Sequence, residues 1–185
     1  MKIAGAYYLI VDVEATCSDD GSVPRHEMEI IEIGAVMQHA RTLAIASEFQ
    51  TFVRPVRHPR LTTFCTNLTG ITQGDLADAP AYPAALEKLQ QWMGAFADAL
   101  FCSWGDYDRN QFAQDCEYHR VAYPFAGHLN LKAEFSRCLN LRRRFGITQA
   151  LRRLGLSFEG SHHRGLDDAR NIARIVRAAG PGRAS

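Results

Sequence analysis

The sequence predicts an α/β fold: a mixed β-sheet of about five strands flanked by helices, with an antiparallel hairpin beside parallel strands. Three observations predict it. Tyr8-Leu9-Ile10-Val11 is a short continuous apolar run, the pattern of a strand buried on both faces. Two more strand-like segments follow, joined by a connection short enough for a hairpin. Strand-like and helix-like segments then alternate toward the end of the chain, the order from which parallel strands are built.

The first strand covers about residues 7–14, and the polar, turn-rich stretch CSDDGSVPRHEME after it reads as a loop. Residues 30–37 (IIEIGAVM) form the second strand, and residues 45–53 (IASEFQTFV) alternate like a third, antiparallel to it through QHARTL. Pro55 and Pro59 end the ladder. Residues 62–79 read as short helical turns and loop. From Pro83, which suits a first turn, Leu86, Leu89, Met93 and Phe96 recur at helical spacing. A short strand at 100–103 comes next, then a helix opened by Asp108 and running to about Val121, then a short strand at 128–131. Thr148 is expected to cap a brief helix through Leu151 and Leu154 that Gly155 ends. The last helix spans about 166–178, with Ala169, Ile172, Ala173 and Val176 on one face and Gly180-Pro181 as its stop.

Length and composition set bounds. The 185 residues read as a single domain, 1–185, with a core of about 7–178 and a frayed tail at 180–185. Hydrophobic residues at 46% and charged residues at 22% are ordinary globular values, which excludes a disordered or membrane-embedded class. No apolar run is long enough to span a membrane, and the N-terminus lacks a signal-peptide cleavage pattern. The five cysteines are odd in number, scattered, and form no C-x-x-C pair, so they read as reduced thiols of a cytoplasmic protein without a zinc site. The net charge of +1 hides an asymmetry. Residues 1–131 hold 9 Lys+Arg against 16 Asp+Glu, a balance of −7, whereas residues 132–185 hold 12 against 4, a balance of +8. The basic half has the sign that attracts phosphates, although arginines of this kind also serve as solvated helix faces.

Four features far apart in sequence point to one chemistry. Asp12 and Glu14 follow the apolar run two residues apart, so they share one face of the strand while Val13 takes the other. Two carboxylates facing the same way at the end of a buried strand carry a like-charge and desolvation cost that a divalent cation offsets. An all-oxygen ligand set suits a hard ion, Mg²⁺ or Mn²⁺. Asp108 stands just after the strand at 100–103, in SWGDYD, and Asp168 stands in the first turn of the last helix. His163 precedes Asp168 by five residues, a spacing that puts it in the loop before the helix, free to reach over the metals. Taken singly, each has an ordinary explanation: a solvated strand end, an N-cap, a first-turn acid, a loop histidine. Their presence together, in order, favours a site. Asp106, His162 and Asp167 are neighbours that compete with Asp108, His163 and Asp168 for the same roles.

These residues resemble the DEDDh exonucleases, 3′–5′ exonucleases with an RNase H-like fold. The family's D-x-E motif matches Asp12 and Glu14, its second-motif aspartate matches Asp108, and its H-x4-D motif matches His163 and Asp168. The stretches DVEATC, EMEIIEIGAV, FCTNLTGIT, SWGDYD and HRGLDDARNIARI are similar to the branch that trims histone-mRNA 3′ ends or regulates RNA interference. The resemblance covers residues 7–177. Its register selects Asp108, His163 and Asp168 over their neighbours. It implies a metal-dependent enzyme that releases nucleoside 5′-monophosphates from single-stranded nucleic acid, RNA before DNA, by two-metal-ion hydrolysis. Two divalent cations, Mg²⁺ with Mn²⁺ able to substitute, would be held by Asp12, Glu14, Asp108 and Asp168, with His163 as general base.

On the substrate side the resemblance implies that Ala15 and Thr16 hold the terminal 3′-hydroxyl, and that Phe64, Leu68 and Tyr107 hold or stack the terminal base. Tyrosine stands at 107 where the histone-mRNA enzyme has tryptophan. Phe64 and Leu68 read equally well as plain core. Arg142-Arg143-Arg144 and Arg152-Arg153 read either as a track for the phosphate backbone or as solvated faces. A DNA exonuclease of proofreading or repair type and a non-catalytic regulatory protein keeping the fold are the competing readings. The intact set of acids and His163 argues against the second of these.

Overall fold

A computed structural model describes residues 5–180 of the chain. Strand β1 (Tyr7–Ala15) is the middle of a five-stranded sheet of order β3-β2-β1-β4-β5. It pairs antiparallel with β2 (Ile30–His39), which pairs antiparallel with β3 (Ile45–Phe52). On its other side it runs parallel to β4 (Ala99–Ser103), which is parallel to the two-residue β5 (Leu129–Asn130). The expected hairpin and parallel pairs are thus both present. A central strand has helices on both faces, which is why its apolar run is unbroken.

Side-chain alternation along β1 sorts the core into two layers. Leu9, Val11 and Val13 pack with Tyr82, Leu86 and Leu89 of α3 (Tyr82–Met93) and with Phe112 and Cys116 of α4 (Tyr107–His119). Tyr8 and Ile10 pack on the opposite face with α5 (Leu131–Cys138), α6 (Ile147–Arg153) and α7 (Gly165–Ala179). Each fully buried Leu, Ile or Phe contributes about 1.5–3 kcal/mol to the fold. Two short helices, α1 (Thr63–Thr69) and α2 (Gln73–Ala77), lie beyond β3, capped by the side chains of Thr62 and Thr72.

Helix α7 sits unusually close to the sheet. A Cβ at Gly34 of β2 would lie 2.0 Å from the Gly165 carbonyl carbon, and one at Gly165 would lie 2.8 Å from the Asp12 carbonyl oxygen. Backbone therefore meets backbone, a contact only glycine permits.

Several element ends differ from the sequence expectation. Helix α3 ends at Met93 and Gly94 follows, so Phe96 packs against the core from outside the helix. Helix α4 stops at His119, two residues before Val121, because Arg120 turns left-handed and its N–H donates back to the Cys116 carbonyl. The strand expected at 128–131 is only Leu129–Asn130. Asn130 instead caps α5, its Oδ1 accepting from the Ala133 N–H at 2.9 Å, and α5 itself has no counterpart in the sequence expectation. Gly146, not Thr148, is the N-cap of α6, and Thr148 turns toward a cleft in the first turn. Gly155, left-handed, follows α6 as expected. Most of the tail expected at 180–185 lies outside the described residues. Among the described residues no helix is long and apolar enough to cross a membrane, and all five cysteines are free.

Candidate active site

The face of β1 that buries Tyr8 and Ile10 continues as Asp12 and Glu14, which places both carboxylates under the N-terminus of α7. Asp168, in the first turn of α7, completes a cluster: one carboxylate oxygen from each of Asp12, Glu14 and Asp168 lies within 4.8 Å of the others. Asp108, in the first turn of α4, opens onto the same cleft. Its Oδ1 accepts the Val13 N–H at 3.0 Å, so it is tied to the strand between the first two acids. The cleft has a volume of about 450 Å³ and contains all four acids, with His163 at its rim.

Packing four acids at one strand end has an electrostatic consequence. Burial, then the nearby Asp108, Asp168 and Glu14, hold the Asp12 carboxyl well above its ordinary range. Burial and Asp168 push Glu14 up to about 8. Burial pushes Asp108 up to about 6, and the Val13 N–H opposes the rise. Asp168 is raised by burial as well, against the opposing pull of the His163 N–H. Burial and mutual repulsion together mark a site short of positive charge. Carboxylate oxygens alone suit a hard divalent cation, so the donor set fits magnesium or manganese.

The neighbours that competed for these roles are placed elsewhere. Asp167 accepts the Ser161 N–H and pairs with Arg170. Asp106 takes the Asn130 amide and an ion pair with Arg109. His162 stacks on Phe158 with ring centroids 3.7 Å apart, although it also borders the cleft. His163 has a left-handed backbone (φ 58°), its N–H donates to Asp168 Oδ2 at 2.9 Å, and its side chain is exposed. The loop is thus folded back on the very acid that His163 precedes.

Among the expected substrate residues, Ala15, Leu68 and Tyr107 line the cleft. Leu68 and Tyr107 are 39% and 48% exposed, so the reading of Leu68 as core does not hold. Phe64, one turn before Leu68 on α1, is exposed too, but it does not border the cleft. Thr16 is not brought into the cleft either. It is buried, its Oγ1 accepts the Glu29 N–H at 2.9 Å, and its own N–H donates to the Glu29 carbonyl. Cys17, Met28, Trp104, Ile147 and Thr148 also line the cleft, and none of them is expected there from the sequence.

A further acid stands close to the cluster, its charge raising Asp12 and Glu14. Glu32 on β2, opposite Glu14 in register, is fully buried. It accepts two bonds from the Arg164 guanidinium, at 3.2 and 3.3 Å, as well as the Gly165 N–H at 3.1 Å and the Gln50 amide. It therefore clamps the segment joining His163 to α7. The only signal in the sequence was a lone acid inside the apolar strand IIEIGAV.

Comparisons with known proteins found relatives in family, sequence and fold. Residues 9–176 match the protein family described as Exonuclease, RNase_T. The chain is 36% identical over 179 residues to "3′-5′ exoribonuclease 1" of Homo sapiens, covering 92% of this chain and 51% of that protein. It is 35% identical over 180 residues to "ERI1 exoribonuclease 3" of Homo sapiens, covering 92% and 52%. The chain thus spans about half the length of the curated relatives it matches. Among solved structures, the nuclease domain of 3′hExo, a DEDDh family member bound to rAMP, superimposes with a TM-score of 0.87 at 34% identity over 93% of this chain and 90% of that one. A 3′-exonuclease recognising a histone mRNA stem-loop superimposes with a TM-score of 0.86 at 32% identity, over 95% and 64%.

Proposed function

Because the chain belongs to the RNase_T exonucleases, in their divalent-metal-using DEDDh branch, we propose that it is a 3′–5′ exoribonuclease releasing nucleoside 5′-monophosphates from single-stranded RNA. One observation carries the reading: Asp12, Glu14 and Asp168 converge from two ends of the chain, with Asp108 and His163, in one open cleft. Asp12, Glu14 and Asp168 would hold one divalent ion and Asp108 would help to hold a second, magnesium or manganese. Such ions, when bound, offset the phosphate charge and acidify the attacking water.

The remaining steps belong to the chain's own residues. His163, as neutral imidazole, takes the proton of the attacking water. The Asp168–His163 N–H bond sets the distance of that base from the acids. Leu68 and Tyr107 hold the terminal base, Tyr107 by stacking, a contact that tolerates any base. Phe64 sits outside that grip, and Thr16 supports the loop beside Ala15 rather than touching the nucleotide.

The test is digestion of 5′-labelled single-stranded RNA and DNA of one sequence with Mg²⁺, Mn²⁺ or EDTA, using the wild type and His163→Ala. The expected result is a ladder shortening one nucleotide at a time on RNA, lost with EDTA and in the variant. A ladder on DNA alone would overturn the substrate, and activity that survives EDTA would overturn the metal chemistry.

A further inference from the structure

Strand β5 is only two residues long, yet it brings His128 and Asn130 to a turn that shapes the cleft. Its parallel pairing sets Asn130 beside Ser103, the last residue of β4. The chain then turns through Trp104, Gly105 and Asp106 into α4, which opens with Tyr107 and Asp108. Gly105 takes this turn at φ 126°, a conformation that other residues rarely adopt. Trp104, Tyr107 and Asp108 line the cleft, so whatever holds the turn also aims Asp108.

The hold is a short chain of hydrogen bonds. Ser103 is fully buried, with its Oγ 3.0 Å from the Gly105 carbonyl oxygen and 2.8 Å from His128 Nε2. The carbonyl can only accept, so the Ser103 hydroxyl donates to it and His128 donates to Ser103 through Nε2–H. Burial and the nearby Arg109 lower the pKa of His128, which keeps the imidazole neutral and its Nδ1 bare. Nδ1 faces Asp106 Oδ1 from 3.9 Å, too far for a hydrogen bond, and Asp106 is held by the Asn130 amide at 3.0 Å instead. The Phe101 ring packs on the imidazole with centroids 5.0 Å apart and fixes its plane. The Ser103 hydroxyl also reaches the Asp108 carboxyl and, with the Val13 N–H, opposes the rise that burial imposes there.

Neither Ser103 nor His128 lines the cleft, so neither touches substrate or ion. For stability alone, two apolar side chains of similar shape would serve as well. A hydroxyl oriented by an imidazole behind a carboxylate is an arrangement that fixes a metal ligand. We propose that Ser103 and His128 are positioning residues for Asp108. The imidazole fixes the hydroxyl, and the hydroxyl fixes the turn and the carboxylate that would help to hold the second ion. This role rests on the function proposed above and extends it behind the cleft wall.

The probe is Mn²⁺, titrated in the presence of adenosine 5′-monophosphate and followed by the EPR signal of the free ion, so that no turnover is needed. Asp108→Ala shows which step of the wild-type isotherm belongs to Asp108. Ser103→Ala and His128→Leu should weaken that step roughly 10–100-fold and leave the other within about twofold. His128→Gln, whose amide can donate where Nε2–H does, should restore it. On RNA, the activity lost in Ser103→Ala should return as Mg²⁺ is raised. Equal weakening of both steps, no weakening of either, or a His128→Gln variant as weak as Ser103→Ala overturns the proposal. Should His128→Leu fail to fold, Ser103→Ala and His128→Gln decide. A wild type that takes up a single Mn²⁺ overturns the second ion and this role with it. A wild type that binds both ions but gives no RNA ladder overturns the proposed function, and the isotherms still judge the positioning role.

Discussion

His163 and His162 are adjacent in sequence but not in circumstance. One is bonded through its backbone to Asp168, and the other is stacked on Phe158. His163→Ala should lower kcat by about 10²–10⁴-fold, the usual worth of a general base, whereas His162→Ala should cost far less. Steady-state kinetics on one RNA oligonucleotide separate the two. Glu32 calls for a different readout. Glu32→Ala leaves Arg164 without its partner and should destabilise the fold by on the order of 3 kcal/mol, seen in urea melts. It should lower kcat more than it raises KM, since the clamp holds the His163 segment rather than the substrate. The acids and His163 were legible because metal and proton chemistry demand those residue types at those spacings. Glu32 was not, because its partner Arg164 lies 132 residues away and no spacing rule links them. The bonds of Thr16 were not legible either, because the groups that make them belong to Glu29, at the approach to the neighbouring strand.

Helix α7 makes the site possible by lying flush on the sheet, and the Gly34–Gly165 contact is what allows it. Gly34→Ala drives a methyl into the backbone of α7 at 2.0 Å, so soluble yield and thermal melts should show a loss of about 3 kcal/mol or more, beyond ordinary overpacking. Helix α1 offers a gentler test. Thr62 caps it through the Cys65 N–H, and its hydroxyl donates to the Cys17 carbonyl at 2.6 Å. Thr62→Ala should cost about 1 kcal/mol and raise KM, because α1 carries Leu68 to the cleft. Long periodic elements such as α3 and α7 were legible. Helix α5 was not, because only Leu131, Phe135 and Ser136 of its eight residues are buried, too few to set a period. The start of α6 was misjudged because Thr148 is a good capping residue in composition, whereas Gly146 has the extended backbone the cap requires.

At the scale of the whole molecule, the four raised carboxyls link stability to pH. In the unfolded chain they titrate near ordinary values of 3.8 for aspartate and 4.5 for glutamate, whereas folding raises Asp108 to about 6 and Glu14 to about 8. The folded state therefore holds protons that the unfolded state gives up. Below about pH 4 the site costs nothing, and stability is lost as the pH climbs through 6 toward 8. Thermal melts in EDTA should show a lower Tm at pH 8 than at pH 5. Mn²⁺ should raise the Tm at pH 8 more than at pH 5, by an amount equivalent to about 2.7 kcal/mol at a hundredfold excess over Kd.

The converging acids have a further consequence, in time rather than in space. Strand β1 leaves the ribosome long before α7, and until α7 follows, one face of β1 lacks its full cover and Asp12 and Glu14 have no Asp168. A nascent chain that ends before Gly165 is therefore sticky and inert, and it needs a chaperone more than it needs a substrate. The proposed exoribonuclease activity would therefore begin only after α7 clears the exit tunnel and docks.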